Sequence, residues 1–181
     1  MDFQTLEANL DALISIWTPD RSSRMARVAL EKADFDDLAA TGFTLTGVPV
    51  SHGGLWLDPA QSAAHVARLL RKLAGVDPSL ALVASMHPTI LLLWLVEPDH
   101  AATRGWKEQR DKVFDDAKSG RWFGTIASEP GIGGDIFATR STASLQADGS
   151  WRMSAAQFMG SGSGTPPFTL TIARPAPQQP P

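Results

Sequence analysis

The segment FGTIASEPGIGGD, Phe123 to Asp135, joins a run of small and β-branched residues directly to a glycine-rich turn. Pro130 suits the second position of a β-turn, and Gly131 accepts the positive φ that the third position of a type II turn requires. The later glycines would let the backbone pass close to a ligand. The segment is not a P-loop, because no Lys-Ser/Thr follows the glycines. It is not a dinucleotide fingerprint either, because a β-segment rather than a helix comes next.

Helices are predicted on the N-terminal side of this segment. Apolar residues recur at three- and four-residue steps from Phe3 to Trp17, which is one face of a helix. A second helix is predicted from Arg21 to about Ala40, ended by Gly42, and Asp58-Pro59 has the residue types that start a third. The stretch 41–54, rich in turn residues, predicts an extended link. Four side chains are predicted to face inward from the second helix: Met25, Val28, Ala29 and Phe35.

The stretch PSLALVASMHPTILLLWLV, Pro78 to Val96, is apolar on every side, and Asp77 precedes it as an N-cap. Its length barely reaches that of a membrane-spanning helix, and His87-Pro88-Thr89 interrupts it. We therefore predict a helix buried at the centre of a helical domain and no membrane span. A polar helix from about Lys107 to Lys118 follows, and Ser119-Gly120 stops it.

On the C-terminal side, the pattern changes to short segments of strand-forming residues separated by turns. The segments are 122–128, 141–146, 151–159 and 168–174. The second and third are predicted to form a hairpin with its turn at Asp148-Gly149. The predicted fold class is α+β, with an N-terminal all-helical domain over 1–119 and a partial antiparallel β-domain over 120–175. The final Pro- and Gln-rich stretch, 176–181, predicts a disordered tail.

Composition narrows the classes of function. Lys+Arg number 16 and Asp+Glu 19, and the net charge of −3 gives no basic field for nucleic acid. The sequence has no cysteine, so disulfides and thiolate chemistry are excluded. With acidic residues where a signal peptide would be basic, we expect a cytoplasmic protein. No His, Asp or Glu spacing predicts a metal site, and no G-x-S-x-G elbow predicts a serine hydrolase.

The segment ASEPGIGGD, Ala127 to Asp135, resembles the T-E-P-G-x-G-S-D motif of the acyl-CoA dehydrogenase flavoprotein superfamily. Four further stretches resemble other parts of that family in the family's order: 47–58, 74–87, 121–130 and 155–164. The resemblance implies an acyl-CoA dehydrogenase-like fold, with a helical domain followed by a middle β-domain. The C-terminal four-helix bundle of that family, which carries the catalytic carboxylate of the dehydrogenases, is missing from this sequence.

The resemblance also implies which residues contact a flavin ring. The cofactor-binding residues it implies are Thr125, Ile126, Ala127, Ser128, Gly133, Gly134, Met159 and Ser161. Ser128 takes the position of a threonine and keeps its hydroxyl, whereas Met159 takes that of an aromatic residue and offers a softer wall. Gly134 replaces a serine, so one hydroxyl contact to substrate or cofactor is lost. From composition alone, Thr125–Ser128 is an ordinary buried strand and Gly160–Gly164 a flexible loop.

Two enzymatic functions are open by resemblance. The first is the N-terminal portion of an FAD-dependent acyl-CoA dehydrogenase, an enzyme that passes hydride from an acyl thioester to flavin N5. Under this hypothesis, no residue of this chain is assigned as the catalytic base. The second is a flavin monooxygenase of the same fold, using FMN, in which His87 would face the oxygen-reacting edge of the flavin. Pro88 frees the carbonyl of Ala84 and kinks the helix, which could turn the imidazole toward a cavity. A histidine inside an apolar helix is otherwise a satisfied core residue.

A third hypothesis belongs to another class: a truncated, non-catalytic remnant, or a module that needs a separate chain to supply the bundle. A helical domain without the bundle would expose an apolar face, and a partial sheet would end in an open edge. We therefore expect a homo-oligomer or a partner chain that provides the missing bundle.

Overall fold

The computed structural model describes residues 1–96, 103–132, 135–162, 164 and 167–176. The helices are α1 Phe3–Trp17, α2 Arg21–Ala26, α3 Lys32–Ala40, α4 Pro59–Ala74, α5 Pro78–Ala84, α6 Met86–Leu92 and α7 Thr103–Lys118. The strands are β1 Phe123–Thr125, β2 Thr142–Leu145, β3 Trp151–Ser154, β4 Phe168–Leu170 and β5 Arg174–Pro175. The order of elements, helices followed by strands, is the predicted α+β order.

Short-range signals set the helix ends as predicted. The Asp58 carboxylate accepts from the Gln61 amide at 2.8 Å, with Pro59 in the first helical turn of α4. Asp77 caps α5 in the same way, through the Leu80 amide at 2.9 Å. Gly42 has φ of 95° after α3, the left-handed conformation that ends a helix.

The predicted helix from Arg21 to Ala40 is wrong in its middle, because the chain is extended at Arg27 and a new helix starts at Lys32. Arg24 and Arg27 reach inward to Asp34, at 2.8 and 2.6 Å, and both also pair with Asp77. The arginines thus take the inward positions that had been predicted for apolar residues. Of those four residues, Phe35 is buried and the other three are exposed: Met25, Val28 and Ala29.

The stretch between α3 and α4 is compact rather than extended, which corrects the prediction. It contains two 3-10 turns, Phe43–Leu45 and Val50–His52. The stretch folds back on itself, since the Trp56 amide donates to the Val48 carbonyl at 2.8 Å and the Val50 amide to the Trp56 carbonyl at 2.9 Å. Turn-rich composition fixes where such a loop lies but not the contacts that close it.

The apolar stretch after Asp77 forms two helices, which break at Ser85 because Pro88 cannot donate to the Ala84 carbonyl. Leu82 and Leu93 are 63% and 50% exposed, so the prediction of burial on every side is wrong. Within the described residues, Pro78–Leu95 is the one stretch long and apolar enough to cross a membrane. Core helices pass the same test, and α5 and α6 pack against α4 and β1 as core helices do.

The strands form two small sheets with mixed pairing. β2 and β3 form the predicted antiparallel hairpin, which turns at Gly149 with φ of 81°. β1 and β4 are parallel, as are β2 and β5, whereas the sequence predicted antiparallel pairing throughout. The β2–β3 hairpin lies between β1 and β4 in the chain, and β4 then pairs with β1 in the same direction.

Two buried clusters join the helices to the first strand. The larger lies among α1, α3, α4 and α5, and it includes Trp122, whose indole N–H donates to the Phe35 carbonyl at 3.0 Å. The smaller brings Leu91 of α6 and Phe114 of α7 against Phe123 of β1. Since β1 begins at a residue held by this second cluster, the residues that follow it have a fixed position relative to the helices.

Candidate functional site

Residues 125–128, at the end of β1 and directly after it, lie between β4 and residues 158–161. On one side they bond to β4, where the Ile126 amide donates to the Leu170 carbonyl at 2.9 Å. On the other side they run antiparallel to residues 158–161: the Phe158 amide donates to the Ser128 carbonyl at 3.0 Å, and the Thr125 amide to the Ser161 carbonyl at 3.4 Å. The structure therefore brings together the two segments, 125–128 and 159–161, that the sequence singles out.

Segments 125–128 and 158–161 together form one edge of the site, and three hydroxyl groups on this edge have no hydrogen-bond partner among the described residues. Thr125, Ser128 and Ser161 are half-buried, and their hydroxyls make no hydrogen bond to the residues that the structure describes. Hydroxyls nearby behave differently, since those of Thr139 and Ser141 both donate to a carboxylate. A half-buried hydroxyl usually finds a partner. This edge therefore offers donors to a ligand that carries carbonyl oxygens or ring nitrogens.

Met159 has an unusual backbone. Its φ is 56°, and no other residue except glycine has a positive φ in the described parts of the chain. The side chain is 80% exposed, beside a half-exposed Phe158. A non-glycine residue in the left-handed region costs about 1–2 kcal/mol and recurs at functional sites. The turn therefore holds an exposed apolar side chain at an energetic cost, next to the three uncommitted hydroxyls.

Glu129 anchors the loop that follows these residues. Its carboxylate is nearly inaccessible and accepts from the Thr139 hydroxyl, the Arg140 amide at 2.7 Å, the Ser141 amide at 3.1 Å and the Ser141 hydroxyl at 2.6 Å. The hydroxyls of Ser141 and Thr139, followed by the Arg140 amide, lower the pKa of Glu129 to about 2. The carboxylate is thus ionised at any physiological pH and fixes this loop to the start of β2.

The predicted type II turn is confirmed directly after Glu129. Gly131 has φ of 84°, and the Ile132 amide donates to the Glu129 carbonyl at 3.4 Å across Pro130. Gly133 and Gly134, which were predicted to contact cofactor or substrate, lie outside the described residues.

His87 is a satisfied core residue with both ring nitrogens bonded to the backbone, so the structure gives no support to its predicted role beside a flavin. The ring is fully buried and packs against Trp122. The Phe123 amide donates to Nδ1 at 3.2 Å, so Nδ1 is unprotonated and Nε2–H donates to the Thr44 carbonyl at 2.9 Å. Burial lowers the pKa of His87 to about 4. A neutral imidazole with both nitrogens bonded to the backbone ties α6 to β1 and leaves no ring nitrogen free to bond a ligand.

Sequence reasoning missed three residues that hold the site's segments together: Glu129, Gln157 and Thr171. The Gln157 amide contacts both the Ser141 hydroxyl and the Thr171 hydroxyl, at 3.3 and 2.7 Å. One signal was visible: Glu129 is a lone carboxylate between a strand and its turn, where a charge needs local partners.

Comparisons with known proteins find matches in structure only. No protein-family model matches the sequence, and no curated protein matches it. Two structures of TdsC from Paenibacillus sp. A11-2, one FMN-bound and one described as dibenzothiophene monooxygenase, align with TM-scores of 0.71 and 0.68 at 19% and 18% identity. The HsaA monooxygenase from M. tuberculosis aligns with a TM-score of 0.67 at 18% identity.

These alignments cover nearly the whole of this chain, 97% with FMN-bound TdsC and 96% with HsaA. The chain corresponds to 40% and 42% of the length of those two proteins. At such low identities, the likeness establishes architecture and not activity. The chain therefore has the acyl-CoA dehydrogenase fold, shared with the monooxygenases TdsC and HsaA over the part of that fold that it covers.

Proposed function

We propose that this chain binds a flavin and forms the flavin-binding part of a flavin-dependent monooxygenase. The observation that carries the proposal is the structural match to TdsC and HsaA, since both are monooxygenases and one TdsC structure holds FMN. FMN is accordingly the cofactor we propose, in preference to the FAD expected from the dehydrogenases. The substrate would be a small molecule. We propose a cytoplasmic location because the sequence lacks cysteine.

The residues at the edge of β1 fit a flavin ring. The free hydroxyls of Thr125, Ser128 and Ser161 would donate to the carbonyl oxygens and nitrogens of the ring edge. Met159 would lie against the ring face, where a polarisable thioether packs well on an aromatic system. A bound flavin supplies the redox chemistry, and these residues would hold and orient it.

The acyl-CoA dehydrogenase hypothesis has less support than the monooxygenase one. The matched structures named above are monooxygenases, and the resemblance to the dehydrogenases assigns their catalytic base to the C-terminal bundle rather than to the part of the fold that this chain covers. The buried, neutral His87 cannot serve as that base either, because both its nitrogens are bonded to the backbone. We propose that acid–base groups for the reaction come from a part of the fold that this chain does not cover.

A partner is part of this proposal. The match spans 40% of the length of TdsC, and the β2–β3 hairpin exposes Leu145, Trp151 and Met153, which are 61%, 63% and 40% exposed. Exposed apolar side chains on one hairpin favour association. We propose that a second copy or a separate chain completes the site.

The first test is a titration of the purified chain with FMN, followed by flavin fluorescence. Ser161→Ala removes a predicted donor and is expected to weaken binding about five-fold, the effect of one lost hydrogen bond. Ser119→Ala is the matched control, because the Ser119 hydroxyl bonds only to the end of α7, and it should leave the affinity unchanged.

The second test separates the two enzyme classes. If the proposed monooxygenase function is right, acyl-CoA thioesters added without oxygen to the flavin-loaded chain should leave the flavin absorbance unchanged. Bleaching of the flavin band by an acyl-CoA would instead establish a dehydrogenase.

A further inference from the structure

We propose that four hydrogen-bonded side chains hold the flavin-binding edge, segments 125–128 and 158–161, in position. They are Glu129, Ser141, Gln157 and Thr171. We call this set the bracing network. The inference rests on the proposed function, because it assigns these residues a role in holding the groups that would contact the flavin. Glu129 lies in the loop after β1, and Ser141 directly precedes β2. Gln157 directly precedes segment 158–161, and Thr171 directly follows β4.

The hydrogen bonds of the bracing network run in one direction. The Thr171 hydroxyl donates to Gln157 Oε1 at 2.7 Å, and Gln157 Nε2 donates to the Ser141 hydroxyl oxygen at 3.3 Å. The Ser141 hydroxyl has one proton, which it donates to Glu129 Oε1 at 2.6 Å. Its oxygen can therefore only accept from Gln157, and this fixes which way the Gln157 amide points. The network ends on a carboxylate, so its last hydrogen bond is charge-assisted.

Three of the four members, all except Ser141, are next in the chain to a residue of the flavin-binding edge or to a residue hydrogen-bonded to it. Glu129 follows Ser128, which carries one of the free hydroxyls, and Gln157 precedes Phe158, whose amide bonds to the Ser128 carbonyl. Thr171 follows Leu170, the carbonyl partner of the Ile126 amide. A shift of Glu129, Gln157 or Thr171 would therefore move one of the three adjoining segments relative to the others.

The network is more suited to positioning than to packing. Gln157 and Thr171 are half-buried and lie outside both apolar clusters, so their side chains add little to the core. A binding edge needs its donors and its ring contact held within about 0.5 Å of a productive arrangement, and supporting hydrogen bonds provide this. The geometry assigns Glu129, Gln157 and Thr171 as positioning residues for the hydroxyls of Ser128 and Ser161.

Thr171→Val tests this directly, because it removes one hydroxyl and keeps the shape of the side chain. Thr171→Ser keeps the hydroxyl and should behave like the wild type. Thr89→Val is the matched control: the hydroxyl of Thr89, on α6, also makes one hydrogen bond, to the carbonyl of Ser85 just before that helix, away from the site. The measurements are the FMN dissociation constant, the visible circular dichroism of bound FMN, and the exchange rate of the Phe158 amide.

We expect Thr171→Val to weaken FMN binding about five-fold, to change the visible circular dichroism of the flavin, and to speed Phe158 exchange. If the wild type binds FMN and Thr171→Val matches it in affinity and circular dichroism, the inference is overturned while the proposed function stands. If the wild type binds no FMN but Thr171→Val still speeds Phe158 exchange, the proposed function fails, and the flavin-positioning role falls with it.

Discussion

Replacing Met159 by glycine should stabilise the protein and weaken flavin binding at the same time. Met159 has φ of 56°, which costs an L-residue about 1–2 kcal/mol and costs glycine almost nothing. Glycine also loses about 0.5–1 kcal/mol more conformational entropy on folding than alanine does. The side chain is 80% exposed, so its removal forfeits little burial.

Met159→Ala is the reference for this prediction, because it removes the same side chain and keeps the strained backbone. The free energy of unfolding of Met159→Gly should therefore exceed that of Met159→Ala by about 0.5–1 kcal/mol. If Met159 lies against the flavin, both variants should bind FMN equally and about ten-fold more weakly than the wild type, as expected for a lost side-chain contact.

Urea denaturation monitored by circular dichroism gives the stability difference, and flavin fluorescence gives the affinity. Equal stability of the glycine and alanine variants would mean that residue 159 is not held in the left-handed conformation. Wild-type affinity in both variants would show that the Met159 side chain does not contact the flavin.

Three further predictions concern charge and pH. Asp34→Asn leaves buried guanidinium groups without a full partner and should lower the free energy of unfolding, measured in urea, by about 3 kcal/mol. Asp36→Asn removes only the exposed Lys32–Asp36 pair and should lower the free energy of unfolding by about 0.5 kcal/mol or less. The pKa of Glu129 is lowered to about 2, so the contribution of its carboxylate to the free energy of unfolding is complete above pH 4.5 and is lost as the pH falls toward 2. The difference in urea midpoint between the wild type and Glu129→Gln should therefore shrink over that pH range. A difference that stays constant would contradict this prediction. The His87 ring should show no titration above about pH 5 by NMR, and a midpoint near 6.5 would mean that the ring is accessible to water.

Local features of the fold could be read from the sequence. Asp58 and Asp77 cap helices because their side chains reach amides three residues away, and Gly42 and Gly149 take the conformations that their neighbours in the chain require. The hairpin at Gly149 follows from two segments of strand-forming residues separated by a turn that contains Asp148 and Gly149. Each of these signals acts within a few residues, so no knowledge of the rest of the chain was needed.

The errors arose where partners are distant in sequence. Arg27 faces inward because Asp77, fifty residues away, needs a partner, and no periodicity of the intervening residues shows this. His87 is satisfied by Thr44 and Phe123, which lie 43 and 36 residues away. The parallel pairing of β1 with β4 likewise depends on how the chain returns after the hairpin. A residue's type indicates what it can bond, whereas the fold decides which bond it makes.

The candidate site shows the same division. The residues proposed to contact a flavin are indicated by a resemblance in short motifs, and the structure brings segments 125–128 and 159–161 together. The network behind them was missed, because Gln157 and Thr171 look like ordinary polar residues until the strands are paired.

The most direct test of the account is isothermal titration of the purified wild-type chain with FMN, with riboflavin as a second ligand that keeps the ring and lacks the phosphate. The account predicts saturable binding of one FMN per site. Riboflavin should retain part of this affinity, because the proposed contacts are with the ring. Binding of neither ligand, by a chain shown to be folded by circular dichroism, would contradict the claim that this edge is a flavin site.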